Sequence, residues 1–124
     1  MSADQKELRA GTFSASVDGV RFMGATTADM RDLNSDYYLF GSENNNRVAF
    51  SVPSSLQGDG PHEVKFYKEG VKWQVQINGQ FFDADQNSKA NISFVRQREG
   101  AYGTIDFVLT DGRKVTGDFN INMI

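Results

Sequence analysis

Two features of the sequence predict an all-β domain. Apolar residues alternate with polar ones at period two along most of the chain, and glycine turns break the alternation at short intervals. The alternating segments amount to about nine or ten antiparallel strands in consecutive hairpins. A sandwich is the expected architecture, because the connecting segments differ in length and the glycine-rich turns cluster unevenly. A closed or flattened up-and-down β-barrel is the alternative.

In chain order, residues 1–10 read as a flexible polar leader. Ser2 with Gln5 can cap a short helix, but a stretch this brief holds at most one turn in water. Residues 11–124 read as a single domain. Phe13, Ala15 and Val17 alternate, and Asp18-Gly19 is a strong two-residue hairpin signal, since a type I′ turn needs positive φ at both central positions. That loop places Val17 opposite Val20, Ala15 opposite Phe22 and Phe13 opposite Gly24, all on one face. Segment 28–33 is expected to hold one helical turn, and strands are expected near 37–41, 47–52 and 90–95. Asn44-Asn45-Asn46 reads as a loop. Gly58, Gly60 and Pro61 mark another.

The middle of the chain alternates most regularly. Val64 and Phe66 precede Glu69-Gly70, Val71, Trp73, Val75 and Ile77 follow, and Asn78-Gly79 turns the chain again. Two-residue loops at both turns place Phe66 opposite Trp73, Val64 opposite Val75, Val75 opposite Phe82 and Trp73 opposite Ala84. Phe66, Trp73, Val75 and Phe82 then share one buried face. The last hairpin needs a longer loop. A two-residue turn at Asp111-Gly112 would set Phe107 against Thr116 and mix the faces. A three-residue loop, 110–112, sets Phe107 against Val115 and Ile105 against Gly117, with Gly112 left-handed after a type I turn.

Composition narrows the function. The chain has 124 residues, no cysteine, one histidine and a formal net charge of −3. Absence of cysteine excludes disulfides, zinc–thiolate sites and thiol catalysis. Acidic and basic residues are interleaved with no basic stripe, so nucleic acid is not an expected partner. No apolar run is long enough for a membrane helix. The first eight residues carry Asp4, Lys6 and Glu7 and do not read as a signal peptide. His62, beside Pro61, lacks a nucleophile in a Gly-x-Ser-x-Gly elbow and reads as a solvated loop side chain. No glycine-rich phosphate loop opens a helix, and no carboxylate pair stands out. The expected class is therefore a non-enzymatic binding or interaction module with no cofactor. A carbohydrate-binding module and a carrier of a small apolar ligand are the alternatives, with carbohydrate or protein as partner.

Two residue groups are candidate sites. With Trp73 inward, Tyr67 and Phe81 point to the opposite face, flanking Lys65, Lys72, Gln74 and Gln76. Tyr67, Phe81, Lys72 and Gln74 are the candidate ligand-binding residues, because aromatic rings stack on the apolar C–H faces of sugars. Asp83, Asp85 and Asn87 have the Asp-x-Asp-x-Asn spacing that opens calcium loops, where alternate oxygens converge on a hard cation. Ser88 stands where that loop needs glycine, and Phe94 where it needs a bidentate glutamate. A polar loop explains the same residues.

The stretch Phe13-Ser14-Ala15-Ser16-Val17-Asp18-Gly19-Val20-Arg21-Phe22 resembles the opening of an uncharacterised group of small bacterial all-β proteins, which reads Phe-x-Ala-x-Val-Asn/Asp-Gly-x-x-Phe. Gly103-Thr104-Ile105-Asp106-Phe107 and Val115-Thr116-Gly117-Asp118-Phe119 resemble that group's ends. Many of its members are exported or lipid-anchored, so the resemblance implies export for a chain whose leader has been trimmed. It transfers no catalytic residue.

With two calcium-loop elements missing, folding is expected to need no metal. A chelator should leave the melting temperature unchanged, and a drop of several degrees that calcium restores would contradict this reading.

Overall fold

The computed structural model describes residues 9–123, so residues 1–8 of the leader lie outside it. Eleven strands follow in order: β1 (Arg9–Val17), β2 (Val20–Ala25), β3 (Thr27–Asp32), β4 (Asp36–Glu43), β5 (Asn46–Pro53), β6 (His62–Lys65), β7 (Gln74–Ile77), β8 (Gln80–Asp83), β9 (Lys89–Val95), β10 (Gly100–Val108) and β11 (Lys114–Met123). They form two antiparallel sheets, a six-stranded one in the order β2-β1-β11-β10-β9-β6 and a five-stranded one in the order β3-β4-β5-β7-β8. The sheets pack face to face as a sandwich and do not close into a barrel. Arg9 and Ala10, read from sequence as leader, pair with Met123 and Asn122.

Aromatic rings fill the space between the sheets. Phe50 of β5 sits at the centre, with its centroid 6.4 Å from Phe13, 5.6 Å from Phe119, 6.0 Å from Phe107 and 5.6 Å from Trp73. These contacts are edge-to-face, the arrangement that the ring quadrupoles favour. Trp73 is fully buried and its indole N–H donates to the Ser51 carbonyl at 2.9 Å, so its polar atom is satisfied inside the core. Phe13 lies against Gly41, where any Cβ would collide with the phenylalanine. Glycine at this point of β4 is therefore a packing requirement.

The turns account for the register. Asp18 (φ 48°) with Gly19 (φ 84°), and Asn78 (φ 51°) with Gly79 (φ 87°), are left-handed pairs closing two-residue hairpins. Val17 faces Val20 and Val75 faces Phe82, as expected. The C-terminal hairpin has the predicted three-residue loop. Phe107 pairs with Val115 and Ile105 with Gly117, the Gly112 amide donates to the Leu109 carbonyl at 2.8 Å, and Gly112 has φ 92°. Arg113 clamps the same turn. Its amide and guanidinium donate to the Asp111 carboxylate at 3.1 and 3.0 Å and hold that carboxyl below the usual range.

Three expectations are corrected. In the first hairpin the register slips, with Ser16 opposite Arg21 but Ala15 opposite Met23. Phe22 is the extra residue of this bulge. Met23 and Ala25, rather than Phe22 and Gly24, enter the core beside Ala15 and Phe13. Segment 28–33 holds no helical turn. Buried Ala28 and Met30 alternate with Asp29 and Arg31 in β3, and pairing with β4 satisfies the backbone that an isolated turn would leave open.

The third correction concerns the middle of the chain. No hairpin forms at Glu69-Gly70. β6 pairs with β9 in the six-stranded sheet, Val64 facing Ala90, while β7 pairs with β5 and β8 in the other. A type I′ turn there would force Glu69 into the left-handed region, at a cost of roughly 1–2 kcal/mol that Asp and Asn largely escape. Phe66 still meets Trp73, at 5.6 Å between centroids, because the two residues approach from opposite sheets.

After β9 the chain turns through Arg96, Gln97 and Arg98, all three with positive φ (51°, 58° and 72°). Arg98 secures this costly backbone. Its guanidinium lies 4.4 Å from the Phe94 ring centroid and donates to the carbonyls of Ser54, Leu56 and Gly58. One side chain thus ties the 96–98 turn to the long 54–61 loop.

Trp73→Ala should cost roughly 3–5 kcal/mol in denaturant unfolding, whereas a loss under about 1 kcal/mol would mean the indole is not the core residue described. Gly112→Val should destabilise by at least about 1 kcal/mol and Gly112→Asn by less, since Asn tolerates the left-handed region. Equal effects would contradict the turn geometry.

Candidate functional site: an aromatic and cationic sheet face

The candidate site follows from the phase of the five-stranded sheet. Leu39, Val48, Phe50 and Val75 point inward, so their strand neighbours point outward. Register then assembles one outer surface. Arg31 faces Tyr38, Asp29 faces Phe40, Phe40 faces Ala49, Arg47 faces Gln76, Gln76 faces Phe81 and Gln74 faces Asp83. Ala49 and Ser51 share this phase but are buried. Gly70 and Val71 lie against them, and the Ser51 hydroxyl donates to the Val71 carbonyl at 2.8 Å.

Three rings stand on this surface. Tyr38 and Phe40 stack with centroids 5.0 Å apart and planes at 28°. Phe81, on the edge strand β8, is 58% exposed. Arg47 lies across Phe40, its guanidinium carbon 4.6 Å from the ring centroid, and donates to the Tyr38 hydroxyl at 2.5 Å. A cleft of about 90 Å³ opens here, lined by Tyr38, Arg47, Lys72, Gln74, Gln76 and Phe81. Lys72 and Gln74 reach the two carboxylate oxygens of Asp83 at 3.3 and 3.0 Å.

Of the four residues singled out from sequence, Phe81, Lys72 and Gln74 share this cleft. Tyr67 does not join them. It packs against the core beside Gly70. Lys65 is displaced too, since β6 belongs to the other sheet, where Lys65 faces Lys89. Both corrections have the cause given above, the hairpin that does not form at Glu69-Gly70. Tyr38, Phe40 and Arg47 went unremarked in the sequence. Their signal was the out-of-phase alternation of Tyr38 and Phe40 around Leu39, which becomes a surface only once β5 is known to pair with β7.

The calcium-like residues do other work. Asp83 takes the Lys72 and Gln74 contacts on the outer face. Asp85 Oδ1 accepts the Asn87 amide at 2.8 Å, and Ser88 is buried with its hydroxyl bonded to the Val108 backbone. This is a polar turn between β8 and β9. Among the described residues no three His, Cys, Asp or Glu side chains stand together as a metal site. His62 is a strand residue, its ring 6.0 Å from Phe94 and its Nε2 3.0 Å from the Gly58 carbonyl oxygen.

The outer face of the six-stranded sheet has a different character. Small polar side chains, Asn91, Ser93, Thr104 and Asn120 among them, surround an exposed Tyr102 over a shallow hollow of about 410 Å³. It lacks the stacked rings of the opposite face, and the guanidinium it carries, that of Arg21, reaches the Ser14 hydroxyl and the Met23 carbonyl at 3.4 Å. No protein-family model, curated protein or solved structure matches the chain. No helix among the described residues is long and apolar enough to cross a membrane.

Proposed function

We propose that this chain is a non-enzymatic binding module, and that its ligand is a carbohydrate docked on the outer face of the five-stranded sheet. The observation that carries the reading is Phe81, an exposed ring on the edge strand β8. Gln76 stands opposite it, and Gln74 and Lys72 lie within the same cleft. A sugar presents the complementary surface, with apolar C–H faces for the ring and hydroxyls for the amide and ammonium donors. The packed interior supports a surface site over an internal one. Phe13, Phe50, Trp73, Phe107 and Phe119 already occupy the centre that an apolar-ligand carrier would keep open.

Phe81→Ala tests this reading. Phe81 is largely exposed, so the substitution should leave the melting temperature nearly unchanged. Retention on an immobilised polysaccharide that the unaltered chain binds, found by a glycan array, should fall about two- to ten-fold, in line with the loss of one stacking contact. Unchanged retention would move the site away from this face.

A further inference from the structure

We infer that the cleft beside Phe81 is a carboxylate subsite and that the ligand is an acidic polysaccharide containing uronic acid. This rests on the carbohydrate reading above and names its substrate class.

Among the described residues the face carries three cations, and two of them pair with carboxylates within it. Arg31 pairs with Asp29 at 3.0 Å, and Lys72 with Asp83 at 3.3 Å. Arg47 has no carboxylate partner among the described residues. Its one side-chain hydrogen bond there goes to the neutral Tyr38 hydroxyl. A guanidinium has five N–H donors, so several remain for a ligand beside Phe81.

Arg47 is also held in place. The Phe40 ring lies under the guanidinium and the Tyr38 hydroxyl fixes one end of the fork. A flexible surface arginine loses side-chain entropy when it engages an anion, and here that ordering precedes binding. A planar, pre-oriented fork suits a planar carboxylate through paired N–H···O bonds. The cleft, about 90 Å³, has room for a carboxylate and part of the ring that bears it, not for a whole sugar. The remaining sugar surface would then lie on Phe81 and the neighbouring amides. A neutral glycan would leave the guanidinium without a counter-charge, so uronic acid is the class that satisfies both ring and cation.

The test uses the full chain and three polymers, polygalacturonate, alginate and a glucuronic-acid polymer. Each is presented as the free acid and as its methyl ester, which keeps the sugar and removes the charge. The expected result is binding of at least one free acid, weakened about ten-fold or more by esterification and by added salt. Arg47→Gln should reproduce that loss on the free acid and weaken binding of the ester, whose carbonyl still accepts a hydrogen bond, by a clearly smaller factor. Tyr38→Phe, which frees the fork without removing it, should give a smaller loss and guards against a folding defect in the arginine variant. Equal binding of acid and ester, unaffected by Arg47→Gln, would overturn the carboxylate subsite and leave the carbohydrate module standing. Failure to bind any glycan, acidic or neutral, would overturn both. Arg47-dependent binding of an oligoglutamate peptide with no glycan bound would overturn the choice of uronic acid.

Discussion

The packing of Phe50 against rings from both sheets is the contact on which the rest of the structure depends. Phe50 belongs to the five-stranded sheet, while Phe13, Phe107 and Phe119 come from β1, β10 and β11 of the other. Two sheets with no disulfide between them must be held by such burial, and aromatic side chains bury the most area per residue. Trp73 completes the cluster, and its bond to the Ser51 carbonyl fixes the indole against β5. Gly41 is the matching vacancy that lets Phe13 reach the centre.

That inward arrangement creates the outer face. Side chains of a strand alternate, so sending Trp73 and Val75 inward sends Lys72, Gln74 and Gln76 outward. Sending Leu39 and Val48 inward likewise presents Tyr38, Phe40 and Arg47. The site is thus the reverse side of the core. The edge position of β8 adds Phe81, which no neighbouring strand covers. A rigid sheet holds these groups in fixed relation, which suits recognition of a ligand with its own regular shape.

Much of this fold was legible in the sequence, and the parts that were not share a cause. The C-terminal hairpin could be read to the residue, because the faces of Phe107, Val115, Ile105 and Gly117 permit one loop length. Asp18-Gly19 and Asn78-Gly79 were legible because their turn chemistry is unambiguous. What escaped was long-range pairing. Alternation around Glu69-Gly70 is as clean as anywhere in the chain, yet β6 and β7 lie in different sheets, and period two alone cannot say which sheet a strand joins. The Phe22 bulge escaped for a related reason, since local pattern favours Phe22 inward while the core accepts Met23. The candidate site was half legible. Phe81, Lys72 and Gln74 follow from one hairpin, whereas Tyr38, Phe40 and Arg47 require the β5–β7 pairing.

Both faces of the five-stranded sheet are fixed by Trp73 facing the core while Phe81 faces solvent, and acrylamide quenching of fluorescence measures that directly. Trp73 is the only tryptophan in the chain. Its emission should be blue-shifted and resist quenching, and Phe81→Trp should add a red-shifted component quenched nearly as readily as free indole. If the native emission is red-shifted and freely quenched, or if the added indole at position 81 is protected, the inward and outward faces of the five-stranded sheet are reversed. The binding surface built on them would then be wrong.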